Sequence, residues 1–148
     1  MADASTHPPF HLDIVSLGGL VYSGPAVMVV APAQAGEVAI YVRHAPLLTR
    51  LNPGKIKIQR PDDEEEFIYV SGGLLEVQPA VVTVLADVAL RSAEIDEAAA
   101  LAAKRRAEEA LRDAVLFSDR DRAYAELIRA AAQLQTLQDA RKKARRGK

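Results

Sequence analysis

The chain has 148 residues, 49% of them hydrophobic and 26% charged, with a net charge of −1. That balance belongs to a chain with a packed core, not to a disordered one, and the length allows one domain, or a small domain with an appendage. There is no cysteine, which excludes disulfides and thiolate chemistry, and no apolar run approaches the roughly 20 residues that a membrane-spanning helix requires.

The opening dozen residues, Met1–Leu12, lack the basic start and apolar stretch of a signal peptide, which predicts a non-secreted, cytoplasmic chain. His7 and His11 lie in a proline-broken leader, where helical ligand spacing has no meaning, so no metal site is expected there. Leu12-Asp13-Ile14 then begins a period of two, the signature of a half-buried strand. Val27–Ala31 is a fuller apolar run, Lys55–Gln59 and Leu75-Glu76-Val77 alternate again, and Val81–Ala86 is suited to deeper burial. Turn signals separate them: Gly18-Gly19, Ser23-Gly24-Pro25, Asn52-Pro53-Gly54, Pro61-Asp62-Asp63, Gly72-Gly73 and Pro79-Ala80. Many short strands at this spacing predict an antiparallel sandwich or barrel over residues 1–90.

After Arg91 the period changes, and neither Pro nor Gly occurs until Gly147. Ser92 or Asp96 is placed to cap a first helix; Phe117-Ser118-Asp119 interrupts it, and Ser118 with Asp121 forms a loose capping box for a second. Residues 91–148 thus read as an antiparallel two-helix hairpin. The charge shifts at the same boundary: residues 1–90 hold 5 basic and 10 acidic side chains, residues 91–148 hold 14 and 10. The first helix is rich in alanine, with only Leu101 and Leu111 as bulky mid-helix groups. Alanine burial returns about 0.8 kcal/mol per methyl, against roughly 1.5–3 for leucine, so a detachable, weakly gripping arm is expected.

Chemistry of the catalytic kind is not signalled. No G-x-x-x-x-G-K-[ST] loop occurs, and Ser71 precedes two glycines but no G-x-S-x-G elbow surrounds it. His44 stands alone, and a solvated hairpin tip accounts for the acidic run Asp62–Glu66. The basic tail lacks the interleaved aromatics of a nucleic-acid surface and suits an acidic protein surface better.

Taken in order, His11–Ser16, Tyr22-Ser23-Gly24, Gly36-Glu37, His44–Thr49 with Pro53-Gly54, Ile68–Gly73, Leu75–Pro79 and Val82–Asp87 form a series that resembles the epsilon subunit family of bacterial F-type ATP synthases. The resemblance extends into the hairpin through Ala103-Lys104-Arg105. It implies a flattened ten-stranded β-sandwich followed by an α-helical hairpin. It also implies a non-catalytic central-stalk subunit without cofactor or metal, peripheral at the cytoplasmic face of the inner membrane, coupling proton flow to ATP synthesis. The implied partners are the gamma subunit, the c-subunit ring and, when the hairpin extends to inhibit ATP hydrolysis, the alpha and beta subunits.

Carried over residue by residue, the resemblance sets Glu37 toward the c ring and His44 and Thr49 near gamma. It sets Arg122 and Arg129 toward the catalytic head, together with Arg141, Lys142 and Arg145 of a terminal basic cluster that ends at Arg146. Two departures stand out. Gly36-Glu37-Val38-Ala39-Ile40 and Val42-Arg43 lack glycines and a proline of the family pattern, so a less turn-like loop is expected. The nucleotide string of some members, Ile-Asp-x-x-Arg-Ala, reads Ile95–Ala100 here with Ala99 in place of the arginine, which predicts weak or no ATP binding, although Arg106 is near. Linking the first helix to the sandwich is expected to hold the arm down.

Overall fold

In the computed structural model, residues 7–147 are described; half of the leader reading on Met1–Leu12, residues 1–6, therefore lies outside the described residues. Ten strands come first: β1 Phe10–Ser16, β2 Gly19–Ala26, β3 Met28–Ala33, β4 Gly36–Tyr41, β5 Leu47–Leu51, β6 Gly54–Gln59, β7 Glu65–Val70, β8 Gly73–Val77, β9 Val81–Ala86 and β10 Ala89–Arg91. A short 3-10 turn, Ser92–Glu94, leads to α1 Glu97–Asp113 and α2 Phe117–Arg146.

The strands form two layers. One runs β4-β3-β6-β7-β10 and the other β5-β8-β9-β1-β2, joined at the Ala33–Leu51 bridge between β3 and β5. Pairing is antiparallel throughout except between β1 and β9, which run parallel from His11–Val81 to Ser16–Ala86. Alternate residues of each strand point between the layers: Leu12 and Ile14, Ile56 and Ile58, Ile68 and Val70, Leu75 and Val77, Val82 and Val84 form the core. Most are β-branched, whose stiff side chains pack well on a pleated surface. The expected sandwich with a helical hairpin is the observed fold.

Three local readings need correction. Ser23-Gly24-Pro25 is not a turn but lies inside β2. Because β2 pairs only with β1, Pro25 needs no donor on its open side, the one sheet position where proline fits. The second helix opens at Phe117, with Leu116 at its cap position and no side-chain capping bond, so Ser118 does not cap it. Val42-Arg43 keeps its turn without glycine: Arg43 takes φ 62°, and the His44 amide donates to the Tyr41 carbonyl at 3.2 Å. Of the two cap candidates for α1, Asp96 serves, accepting from the Ala99 amide at 3.0 Å.

Candidate functional site

The outer faces of β6 and β7 carry the hairpin. α2 packs on both strands and α1 packs on α2. The helix that sits on the sandwich is thus the second, contrary to the expectation for the first. β7 explains why α2 stays there. Phe67-Ile68-Tyr69-Val70 is apolar at four successive positions, and all four are buried. Ile68 and Val70 face the core, while Phe67 and Tyr69 point to the opposite side, where they are only 9% and 1% exposed. A strand covered on both faces reads as a continuous apolar run; that was the available sequence signal for the docking strip. Burial pushes the Tyr69 hydroxyl up in pKa, with Gln133 and Arg129 beside it pulling the other way.

Ion pairs border this strip. Lys55 on β6 meets Asp139 on α2. Glu65 on β7 takes Lys57 at 2.9 Å and Lys143 of α2 at 3.7 Å. Burial raises the Glu65 carboxyl, but the Lys57 hydrogen bond and the two lysine charges outweigh it, leaving the pKa below the ordinary glutamate value. Glu66, on the other face of β7, takes Arg60 at 3.1 Å and Arg91 at 2.9 Å. Arg91 also donates to the Val21 carbonyl of β2 at 2.7 Å, which ties the exit of the sandwich to its open edge. The acidic run is therefore more than a solvated tip. Its last two members are counter-ions, Glu65 for Lys143 of α2 and Glu66 for Arg91.

The two helices meet along small residues: Ala100 and Ala107 on α1 and Ala123 and Ala130 on α2 are buried. A hairpin closing at residues 114–116 brings Ala107 level with Ala123 and Ala100 level with Ala130. At the far end Arg141 grips Glu97 with a two-pronged pair at 3.0 and 2.6 Å. That bond holds the Glu97 carboxyl below its ordinary range.

Between the sandwich edge and both helices lies a cavity of about 680 Å³, lined by Tyr69, Ala99, Arg106, Glu126, Arg129 and Gln133 among others. Arg106 and Arg129 face it together with three carboxylates, Glu94, Asp96 and Glu126. Ala99 lies on its wall, so the missing guanidinium is missing from this cavity. Negative charge exceeds positive there, which disfavours a polyphosphate.

The other sequence candidates are distributed over the surface. Glu37 is exposed near the start of β4, just after the turn at Gln34-Ala35. His44 is partly exposed, with Nδ1 donating to the Ala45 carbonyl at 2.6 Å. Thr49 lies in β5 opposite Leu75 and is partly buried; its exposed strand neighbours are Leu48 and Arg50. Arg122, Lys142 and Arg145 are exposed, Arg129 borders the cavity, and Arg141 is engaged with Glu97.

Sequence reasoning missed an apolar row on the outer face of the second layer. Strand register aligns Leu74 with Leu85, Leu85 with Val15 and Val15 with Leu20. Leu74, Leu85 and Leu20 are exposed, as are Leu17, Val88 and, 71% exposed on β5, Leu48. Contiguous apolar surface of this kind marks an interaction face. The signal was there in Leu74-Leu75 and Val84-Leu85-Ala86, which break strict alternation by adding an apolar residue on the outward side.

His11, Asp13 and Ser23 meet on β1 and β2. Ser23 donates to Asp13 at 2.6 Å, and the same carboxylate oxygen lies 2.9 Å from His11 Nε2. The Ser23 bond above all holds the Asp13 carboxyl below its ordinary range. Serine and aspartate share one ring nitrogen, whereas a nucleophilic triad needs them on opposite nitrogens, so this trio does not activate Ser23.

Comparison with known proteins covers most of the chain. Residues 9–92 match the beta-sandwich domain of the ATP synthase delta/epsilon chain, and residues 93–138 match its long alpha-helix domain. The ATP synthase epsilon chain of Nitrosococcus oceani is 61% identical over 133 residues, covering 90% of this chain and 95% of that one. That of Nitrosospira multiformis is 55% identical over 134 residues, covering 90% and 96%. Among solved structures, a chain of the Euglena gracilis mitochondrial ATP synthase, in an OSCP/F1/c-ring assembly, superposes with a TM-score of 0.79 over 93% of this chain and 87% of that one. At 17% identity it attests the fold.

Proposed function

The chain belongs to the ATP synthase delta/epsilon family, as a non-catalytic subunit of the bacterial F-type enzyme, and from that membership we propose a rotor subunit with a detachable regulatory arm. In this reading residues 1–90 form the seat and residues 91–148 the arm. The seat binds the gamma subunit and the c ring in the central stalk, so that proton flow turns it with them. The outward apolar row from Leu74 to Leu20 supplies the buried part of the gamma contact, and Glu37, His44 and the β5 segment around Thr49 border it. Among the described residues no helix is long and apolar enough to cross a membrane. Attachment to the cytoplasmic face then runs through the complex.

The observation that carries the arm reading is the difference between its two seams. α1 is held to α2 by alanine methyls and one exposed ion pair, whereas α2 covers two aromatic side chains of β7. A graded attachment of this sort can open without unfolding the sandwich. Once extended, the arm presents Arg122, Arg129, Arg141, Lys142 and Arg145 to acidic surfaces of the alpha and beta subunits and blocks rotation in the hydrolysis direction. Extension breaks the Arg141–Glu97 pair, which frees that guanidinium for the new partner.

The experiment is assembly of the complex with chains ending at Arg91. The expected result is retained assembly and a raised ATP hydrolysis rate; an unchanged rate contradicts the regulatory role. Leu74→Glu with Leu85→Glu in the full chain tests the seat, with loss of gamma co-purification expected and undiminished recovery contradicting it.

A further inference from the structure

Strand register draws two rows across the outer face of the second layer, at right angles to the strands. The first is apolar: Leu74, Leu85, Val15 and Leu20 lie side by side on β8, β9, β1 and β2, with Arg50 of β5 at the end of the row. The second reads Leu48, Glu76, Thr83, Asp13 and Ser23 over the same five strands. It lies two residues from the first on β8, β9 and β1, a separation of about 7 Å. Arg50 is the one lysine or arginine in these five strands. A surface that merely meets water mixes both signs of charge. Here an apolar row has carboxylates along one border and no cations among them.

Both carboxylates are oriented and only half used. Glu76 is exposed, and its Oε1 accepts from Gln78 Nε2 at 2.7 Å. Asp13 Oδ1 accepts from Ser23 and lies beside His11 Nε2. Among the described residues, the second oxygen of each makes neither a hydrogen bond nor an ion pair. The Ser23 bond also keeps Asp13 ionised by lowering its pKa. Acceptors already held in place lose little freedom when a partner engages them. Glu76 and Asp13 stand two strands apart, about 10 Å.

We propose that Glu76 and Asp13 form the specificity border of the gamma seat, selecting an apolar ridge of gamma that carries two lysine or arginine side chains about 10 Å apart along one flank. This rests on the seat reading above and adds to it the chemistry that gamma presents and the way round that it lies. Turned by half a circle, the same ridge would set its cations beyond the apolar row, away from both carboxylates. Apolar contact alone does not distinguish the two orientations; the charged border does. Charges at the rim of an interface act chiefly on the rate of association and on its response to salt.

The test is the association rate of the full chain with an alpha–beta–gamma complex that lacks it, measured from low to high sodium chloride. Asp13→Asn with Glu76→Gln keeps every hydrogen-bond acceptor and removes only the charge. The expected result is an association rate about five- to tenfold slower at low salt, with a flattened salt dependence. Asp62→Asn with Glu64→Gln makes the same change of net charge on the β6–β7 connection, off this face, and is expected to leave both unchanged. Glu76→Gln alone, clear of the His11–Asp13–Ser23 bonds, is expected to show a two- to threefold part of the effect. An unaltered rate and salt dependence in the Asp13 and Glu76 pair, or an equal loss in the Asp62 and Glu64 pair, overturns the proposal. If Leu74→Glu with Leu85→Glu abolishes binding while the Asp13 and Glu76 pair changes nothing, the seat stands and the border falls. If the leucine variants bind as well as the native chain, the seat itself falls and the border with it.

Discussion

Gly73 shows how much a single position carries. It takes φ +141° at the start of β8, and a Cβ there would stand 2.0 Å from the Leu85 carbonyl oxygen and 2.9 Å from the Ala86 Cα. Both obstacles are backbone of a paired strand, so neither can step aside. Gly73→Ala is expected to cost about 3 kcal/mol or more, read from chemical denaturation, because it adds a left-handed penalty to a backbone clash. A loss under about 1 kcal/mol would contradict the geometry. The Gly72-Gly73 turn was legible in the sequence because only glycine adopts such angles readily. The separate duties of Glu65 and Glu66 were not. Neighbours on a strand face opposite ways, and which partner waits on each side depends on where Lys143 and Arg91 arrive after folding.

At the scale of elements, strands whose apolar period was clean were readable: Leu12–Ile14, Lys55–Gln59, Leu75–Val77 and Val81–Ala86 all lie in β-structure. β2 was broken in the reading at Ser23-Gly24-Pro25, because the sequence does not say which strand will have a free edge. The start of α2 was misplaced for a related reason. Leu116 and Phe117 are apolar yet exposed, Phe117 by 86%, so neither capping chemistry nor burial marks that boundary. The alanine composition of α1, in contrast, foretold a seam built of small residues. Ala107, fully buried in that seam, allows a direct test. Ala107→Leu forces the helices apart and is expected to destabilise the hairpin by about 1–3 kcal/mol while the sandwich keeps its melting temperature. Circular dichroism separates the helical loss from the strand signal; a single unchanged transition would show that the seam has room to spare.

For the molecule as a whole, the sandwich and its appended hairpin followed from the change of period and charge at Arg91. The way they meet did not. The docking strip is made of Phe67 and Tyr69 on one element and a helix distant in sequence, and no local pattern pairs them. Glu65 beside the strip and Glu97 in the seam between the helices give the docked hairpin a pH dependence. Glu65 and Glu97 both have folded-state pKa values below the ordinary 4.5, so their contribution is complete above that value and is lost as pH falls through the lowered one. Docking is expected to be constant between about pH 5 and 7 and to loosen below about 4.5. Amide exchange along α2 reads this, with faster exchange at low pH while the core strands stay protected. Because these pairs are partly exposed, the acceleration is expected to be a few-fold, not a full release.

The central claim is that the arm regulates by leaving its place on β6 and β7. The Lys55–Asp139 pair joins α2 to the sandwich directly, so a zero-length carbodiimide bond between that amine and that carboxylate fixes the docked state without a new spacer. The deciding measurement is ATP hydrolysis by the assembled complex carrying the linked chain, with the bond verified by mass spectrometry. Hydrolysis at the raised rate of the arm-deleted complex, with assembly intact, is the predicted result. Hydrolysis restrained to the same degree as with the unlinked chain would contradict the account.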